Sequence, residues 1–310
     1  MVNSIDRKAV TELMKGYYFY IPSYQRGYRW TSIQVVQLLS DLLCYASSTF
    51  NKRIQGINEG EYYCLQPVVA RKITDKEVLR KFLPKDAKKD AEAWEIIDGQ
   101  QRLTTLMLLL RAFYVRFESM KTEESMKTKE LISRCLWKTD EFGTANLNEL
   151  KIDSEVATDI AKEEFLDILK TGIVKDTQKS KYANNYRFFQ TKIEEFLNEY
   201  LDVFSYLPIR ILNNCILLPI EADNQNTALR IFSTLNDRGL PLSDADIFKA
   251  QFYKYYSDKG QKQKFIDIWK ELEELSEKIF NPISGTPMDE LFTRYMYYER
   301  AKMGIKSSTT

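Results

Sequence analysis

The sequence contains no histidine among its 310 residues. This absence excludes catalytic triads and dyads that use histidine as the base, HEXXH zinc sites and histidine-centred nuclease motifs. Any chemistry must therefore come from carboxylates, guanidinium and ammonium groups, amides and hydroxyls, with a divalent cation such as Mg²⁺ where one is needed.

The small number of cysteines, the lack of long apolar runs and the low net charge also restrict which classes of protein the chain can belong to. The four cysteines are far apart and form no C-x-x-C pair, which favours buried free thiols in a reducing cytosol over disulfides or zinc. No apolar run approaches the roughly 20 residues of a spanning helix, and no signal peptide opens the chain. We therefore predict a cytoplasmic protein with no membrane partner. The net charge of +1 gives no overall basic field, so any contact with DNA needs a local patch.

What the sequence does contain is an unusual polar turn at residues 98–105, between a predicted strand at 94–97 and a predicted helix. The helix is indicated by apolar residues at three- and four-residue spacing, namely Leu103, Leu106, Met107, Leu110 and Phe113. A helix start suits a phosphate, to which Arg102 adds a guanidinium fork and Asp98 a metal or hydroxyl contact. The alternative is structural: Asp98 caps the helix and Arg102 pairs with a surface acid.

Two further segments concentrate polar groups. Residues 21–30 place Arg26, Arg29 and three aromatics around Gly27, which suits a planar base or an anion. Alternatively, those aromatics only anchor a surface loop to the core. Residues 232–243 form a predicted helix-loop-helix joint, whose plainer interpretation is a helix ended by glycine and followed by a capped helix.

Taken together, the three segments carry a resemblance. They read Ile-Pro-x-Tyr-Gln-Arg-x-Tyr-x-Trp, then Ile-Asp-Gly-Gln-Gln-Arg-Leu-Thr-Thr-Leu, then Phe-x-Thr-Leu-Asn-x-Arg-Gly-x-Pro-Leu-Ser-x-x-Asp. In order and spacing they resemble the N-terminal domain family of GmrSD-type restriction endonucleases, which includes the NTPase half of phosphorothioation-sensing defence proteins. The resemblance implies a fold related to the ParB and sulfiredoxin nucleotide-binding domains. It also implies nucleotide hydrolysis that regulates cleavage of modified foreign DNA, typically of phage.

The resemblance and the chemistry of the side chains together assign a site for an NTP with Mg²⁺. The expected catalytic residues are Asp98, Gln100, Gln101 and Arg102, with Asp98 also the expected metal ligand and a glutamine orienting water. The expected nucleotide-binding residues are Gln25, Arg26, Arg29, Gly99, Thr104, Thr105, Asn236, Gly239, Ser243 and Asp246.

Two departures from the family pattern matter. Many relatives have Leu-Gly where this chain has Leu65-Gln66-Pro67, and many continue into a nuclease domain with a histidine-centred metal site. We therefore expect either an N-terminal fragment of a longer protein or a chain that works with a separate nuclease, and an oligomer is compatible with both. Two other functions stay open: a module that binds nucleotide or modified DNA without turnover, and a stand-alone Mg²⁺ nuclease. The nuclease would have only Glu95, Asp98 and Asp246 as candidate carboxylates.

The predicted fold is α+β, with a small mixed sheet, a large helical insertion and C-terminal helices. Residues 1–120 are the first part of the nucleotide-binding core, and residues 121–212 are the helical insertion. Residues 213–257 complete the core with a strand and the helix-loop-helix joint. Residues 258–310 form a helical segment that would lead to any further domain.

Overall fold

The computed structural model describes residues 8–22, 25–48, 62–74, 79, 83, 92–156, 161–201, 204–221, 244–282 and 285–305. The chain divides into two compact units. The first comprises residues 1–22, 27–155 and 159–232, and the second comprises residues 23–26, 156–158 and 233–310.

The first unit contains all the described strands and seven of the described helices. The strands are β1 (Lys8–Ala9), β2 (Tyr17–Ile21), β3 (Tyr63–Lys72), β4 (Glu92–Asp98), β5 (Trp137–Thr139), β6 (Ala145–Leu150), β7 (Ile152–Ser154) and β8 (Cys215–Glu221). The helices are α1 (Val10–Gly16), α2 (Ser32–Ser48), α3 (Gln100–Glu118), α4 (Glu123–Leu136), α5 (Lys162–Thr171), α6 (Lys181–Glu199) and α7 (Tyr206–Asn214).

Six strands form one mixed sheet in the order β1-β8-β3-β4-β2-β7. The pairs β8–β3, β4–β2 and β2–β7 are parallel, whereas β1–β8 and β3–β4 are antiparallel. The register of β3 against β8 shifts between Cys64 and Pro67, where the proline has no N–H group to donate to the ladder. The predicted mixed sheet with surrounding helices is thus confirmed; the kinship with ParB and sulfiredoxin domains stays a prediction.

Helix α3 lies at the centre of the first unit. Its residues Leu106, Met107, Leu108, Leu109 and Leu110 are all fully buried, so every face of this stretch is covered. A helix that is apolar all round belongs inside a core. Helices α4 and α6 both pack against α3. Because β4 runs directly into α3, the turn between them is held by a buried strand on one side and a buried helix on the other.

The segment predicted to be a helical insertion also contains strands. β5 and β6 form a separate antiparallel pair, and β7 adds to the main sheet beside β2. The pattern from residue 121 onward indicated mainly helices because these strands are short and β6 is largely exposed, so little apolar alternation marks them.

Between β6 and β7 lies a lysine that is almost completely buried. The Lys151 ammonium donates to the carbonyls of Met14 and Lys15, at 3.1 and 2.6 Å, and so caps the C-terminal end of α1. Burial lowers the pKa of Lys151 to about 8. The folded state therefore holds this proton less tightly than the unfolded chain.

We expect this lysine to give the protein a measurable pH dependence. Between pH 8 and the ordinary lysine pKa of 10.5 the unfolded chain binds more protons, so the free energy of unfolding rises with pH. Relative to Lys151→Met, the wild-type protein should gain about 1 kcal/mol of stability from pH 7 to pH 9. Urea unfolding of both proteins at each pH measures this difference. Identical pH profiles for the two proteins would contradict the expected titration of Lys151.

The second unit contains three helices, α8 (Asp244–Asp258), α9 (Lys262–Ile279) and α10 (Pro287–Lys302). Their shared core consists of Ala245, Phe265, Trp269 and Met288. Helix α10 begins with a capping box in which Thr286 and Asp289 satisfy each other's backbone N–H groups. This stabilises the N-terminal end of α10.

All four cysteines are free thiols, as predicted, but only two of them are buried. Cys135 and Cys215 are enclosed, and burial raises their pKa values to about 11 and about 12. The prediction of burial was wrong for Cys44 and Cys64, which are exposed. In the part of the chain that the structure describes, no helix is both long enough and apolar enough to cross a membrane.

Candidate functional site

The predicted turn at residues 98–105 is the junction of β4 and α3. Asp98 ends the strand, Gly99 is the N-cap of the helix, and Gln100 is its first residue. Gly99 adopts a left-handed conformation with φ of 87° and makes no side-chain cap. The first turn of α3 contains no acidic residue. The positive end of the helix dipole is therefore not neutralised from within this turn.

Only glycine fits the N-cap without strain. A Cβ at position 99 would lie 3.0 Å from Val68 Cγ2 and 3.3 Å from Val68 Cα. The left-handed conformation alone costs other residues about 1–2 kcal/mol. Strand β3 thus approaches the turn closely enough to require a residue with no side chain.

This close approach leads to a prediction for Gly99→Ala. The left-handed backbone and the contact with Val68 should together lower the free energy of unfolding by about 2 kcal/mol. The matched control is Gly143→Ala, since Gly143 has a φ of 82° but its Cβ would come no closer than 3.5 Å to a neighbour. Chemical denaturation should show a larger loss for Gly99→Ala. Equal losses would mean that the approach of β3 adds no strain.

Arg102 lies in the first turn of α3 and is largely buried. Its Nη1 donates to the carbonyl oxygen of Pro67 at 2.9 Å. Burial lowers the pKa of the guanidinium, and the neighbouring Asp98 carboxylate opposes this by raising it. Arg102 therefore contacts the bulged part of β3 and lies near the Asp98 carboxylate at the end of β4.

Gln101 holds the loop of the first segment. Its Oε1 accepts from the backbone N–H groups of Arg29 and Trp30 at 2.7 and 3.3 Å. Its Nε2 donates to the carbonyl oxygen of Gly27 at 3.1 Å. The side-chain amide of Gln101 is buried, and these three contacts use both of its ends. The structure therefore brings the loop at residues 27–30 and the start of α3 together.

A second set of contacts fixes the same loop. The hydroxyls of Tyr28 and Thr105 are hydrogen-bonded at 2.7 Å, and Thr105 also donates to the carbonyl oxygen of Gln101. Asn185 of α6 donates to the Tyr28 hydroxyl and to the Trp30 carbonyl, at 3.1 and 3.0 Å. Burial raises the pKa of Tyr28 to about 12, so this hydroxyl keeps its proton at any physiological pH.

Aromatic packing completes the anchor. The ring of Tyr28 stacks on that of Tyr182 with centroids 4.5 Å apart, and Tyr182 stacks on Phe165 at 4.9 Å. Tyr28 is thus an anchor to the core, as the structural alternative for this loop proposed. That interpretation does not extend to Arg29: within the described residues its half-buried guanidinium has no hydrogen bond or ion pair.

The second unit holds three of the predicted residues, namely Gln25, Arg26 and Asp246. Arg26 Nη1 lies 3.4 Å from Asp246 Oδ2, so these two residues are brought together. Gln25 is buried, and its carbonyl oxygen accepts from the ammonium of Lys249 at 3.4 Å. Lys249 also lies 3.4 Å from Glu273 Oε1. Lys249 was not predicted, although its place three residues after Asp246 on α8 was a signal for a shared face.

Gln100 and Thr104 are buried within α3. Asn236, Gly239 and Ser243 lie outside the described residues. Glu95, considered as a catalytic carboxylate, is instead bound by Arg71 of β3, with Nε to Oε2 at 3.0 Å. Among the described residues, no group of three or more Asp, Glu or Cys side chains is arranged to hold a metal ion.

Sequence comparison identifies the family. A family model described as the GmrSD restriction endonuclease N-terminal domain matches residues 8–253. The chain belongs to this family. The match contains the junction of β4 and α3 and the loop that Gln101 holds, and it ends within α8. Membership connects this GmrSD N-terminal domain with a restriction system of the GmrSD type. Comparison with curated proteins gives no match.

Proposed function

We propose that this GmrSD N-terminal domain binds a nucleoside triphosphate at the start of α3. The proposed role of the nucleotide is to regulate cleavage of modified foreign DNA by a nuclease domain or partner. The observation that carries the proposal is the turn at Gly99. There a buried strand leads directly into a 19-residue helix whose N-cap residue has no side chain. Phosphates bind at helix starts of this kind because backbone N–H groups and the helix dipole both favour negative charge.

Two guanidinium groups support a phosphate ligand. Arg102 belongs to the same first turn, and Arg29 is attached through its backbone N–H to Gln101 of that turn. Arg29 has no other hydrogen bond or ion pair among the described residues, so its half-buried charge is available to a ligand. Guanidinium forks suit phosphate oxygens and also neutralise the charge that spreads over them during phosphoryl transfer.

The remaining groups of the turn take distinct roles in the proposal. Asp98 is the proposed contact for Mg²⁺ or for a ribose hydroxyl. A single carboxylate fits Mg²⁺, since this ion is commonly held by one or two carboxylates together with substrate phosphates. Gln100 is the proposed residue that orients the attacking water. Gln101 and Thr105 are positioning residues, because their side chains hold the loop at residues 27–30.

The test is nucleotide binding and turnover by the purified chain. Each of the four NTPs is incubated with the protein and Mg²⁺ and the released phosphate is measured. Calorimetric titration with a slowly hydrolysed NTP analogue is carried out in parallel. Binding with phosphate release supports the full proposal, and binding without release supports a sensor that does not turn over. Absence of binding for every nucleotide would overturn the proposal.

A separate expectation concerns DNA. The purified chain should not cut DNA in the presence of Mg²⁺, because phosphodiester cleavage usually requires two or three converging carboxylates and histidine is absent. Incubation with plasmid DNA, both modified and unmodified, tests this on agarose gels. Robust cleavage that Asp98→Asn abolishes would instead favour the stand-alone nuclease.

A further inference from the structure

Helix α9, which lies beyond the residues matched by the family model, carries an apolar stripe on its surface. The side chains of Ile268, Leu275 and Ile279 are 39%, 44% and 68% exposed, and the half-buried Leu272 lies between them. Their spacing along the helix is four, three and four residues. Single exposed apolar residues are ordinary on a protein surface. A run at this spacing is different, since it is the seam with which one helix packs along another.

The charges beside the stripe restrict what can pack there. Glu271 and Lys278 are exposed and lie on the same flank of the stripe, seven residues apart. The opposite flank faces inward, where Trp269 and Ser276 are buried. Within the described residues neither Glu271 nor Lys278 forms an ion pair. A helix packed along the stripe would therefore meet one acid and one base, in that order.

A second copy of α9 that runs antiparallel to the first presents this acid and this base in the required order. When two copies of α9 pack antiparallel about a two-fold axis, Ile268 of each copy meets Ile279 of the other, and Leu272 meets Leu275. In that register Glu271 lies about 3 Å along the axis from Lys278 of the second copy, within reach of an ion pair. The symmetry makes this pair twice. A parallel arrangement would bring neither pair together, because residues on this flank then face the opposite flank of the partner.

We propose that α9 is a self-association surface at which two copies of this chain pair antiparallel. The contact is isologous, so the same stripe serves both partners and the assembly closes at two copies. A single pair of helices buries less area than a standard interface, so the dissociation constant should lie at about 10–100 µM. The proposal is independent of nucleotide binding.

Charge reversal tests both the surface and the direction of pairing. Glu271→Lys and Lys278→Glu each place like charges together twice and should weaken the dimer by about 10-fold. The double variant Glu271→Lys/Lys278→Glu restores opposite charges and should return the dissociation constant to near the wild-type value. Sedimentation velocity over about 1–500 µM, at low ionic strength, measures all four proteins. Failure of the double variant to recover would overturn the antiparallel pairing.

A matched apolar pair of variants tests the seam. Ile279→Glu should abolish the dimer, whereas Ile33→Glu should leave it unchanged, because Ile33 is 76% exposed on α2 and lies in the other unit. Circular dichroism and thermal unfolding establish that each variant is folded. A wild-type chain that stays monomeric throughout the concentration range, or a dimer that Ile279→Glu leaves intact, would overturn the proposal.

Discussion

Arg102→Ala is expected to weaken binding of a slowly hydrolysed NTP analogue by about 10- to 150-fold, which corresponds to roughly 1.5–3 kcal/mol. The reason is the loss of a charge-assisted contact at the start of α3. Because Arg102 also donates to the Pro67 carbonyl, the variant should be modestly less stable as well. Calorimetric titration alongside thermal unfolding separates the two effects. Arg102→Lys keeps the charge but loses the planar fork, so it should restore only part of the affinity for the NTP analogue that Arg102→Ala loses.

Arg29→Ala is the matched comparison for this result. Its guanidinium has no hydrogen bond or ion pair among the described residues, so removal should leave thermal unfolding unchanged. If Arg29 contacts phosphate, nucleotide affinity should fall in a protein of wild-type stability. If affinity is unchanged in both arginine variants, the start of α3 is not a phosphate site and the motif is only a tightly built helix start.

Gln101→Ala should destabilise the first unit by about 3 kcal/mol. The substitution removes three hydrogen bonds and leaves the N–H of Arg29 and the carbonyl of Gly27 without their partner in a part-buried site. Urea unfolding measures the loss. The control is Gln34→Ala, whose side chain also accepts from a backbone N–H but lies on the surface, so its removal should cost well under half as much.

The same variant distinguishes positioning from catalysis. If Gln101 acts on the nucleotide only by holding Arg29, the double variant Gln101→Ala/Arg29→Ala should bind the analogue no more weakly than Arg29→Ala alone. Additive losses of affinity would contradict this dependence. A Gln101 variant that binds normally but no longer releases phosphate would return this residue to the role of orienting water.

The local parts of the site could be predicted from the sequence, whereas its long-range contacts could not. β-branched residues indicate the strand, Gly99 indicates the turn, and the spacing of apolar residues indicates the buried helix. These three signals are close together in the sequence, so each could be recognised from local patterns. Gln101 and Asn185 form hydrogen bonds with the loop at residues 27–30, although they lie far from this loop in the sequence. No pattern in one segment reports such a contact.

The burial of the charged Lys151 side chain could not be predicted from sequence patterns either. Lys151 is enclosed because two carbonyls at the end of α1 replace its hydration, a partner set that only the folded chain supplies. The predicted domain boundaries stay predictions. The assignment of residues from all three segments to one nucleotide site also stays a prediction, because Asn236, Gly239 and Ser243 lie outside the described residues.

The strand order has a consequence for how the chain folds during its synthesis. β8 pairs with both β1 and β3, yet it is translated long after either of them. At about 5–20 residues per second, roughly 7–30 s pass between the emergence of β3 and of β8 from the ribosome. For that time one edge of β3 has no neighbour and can template pairing with other chains. Slowing translation before residue 215 should lengthen this interval and therefore increase the fraction of the protein that aggregates, as measured by its partition between supernatant and pellet.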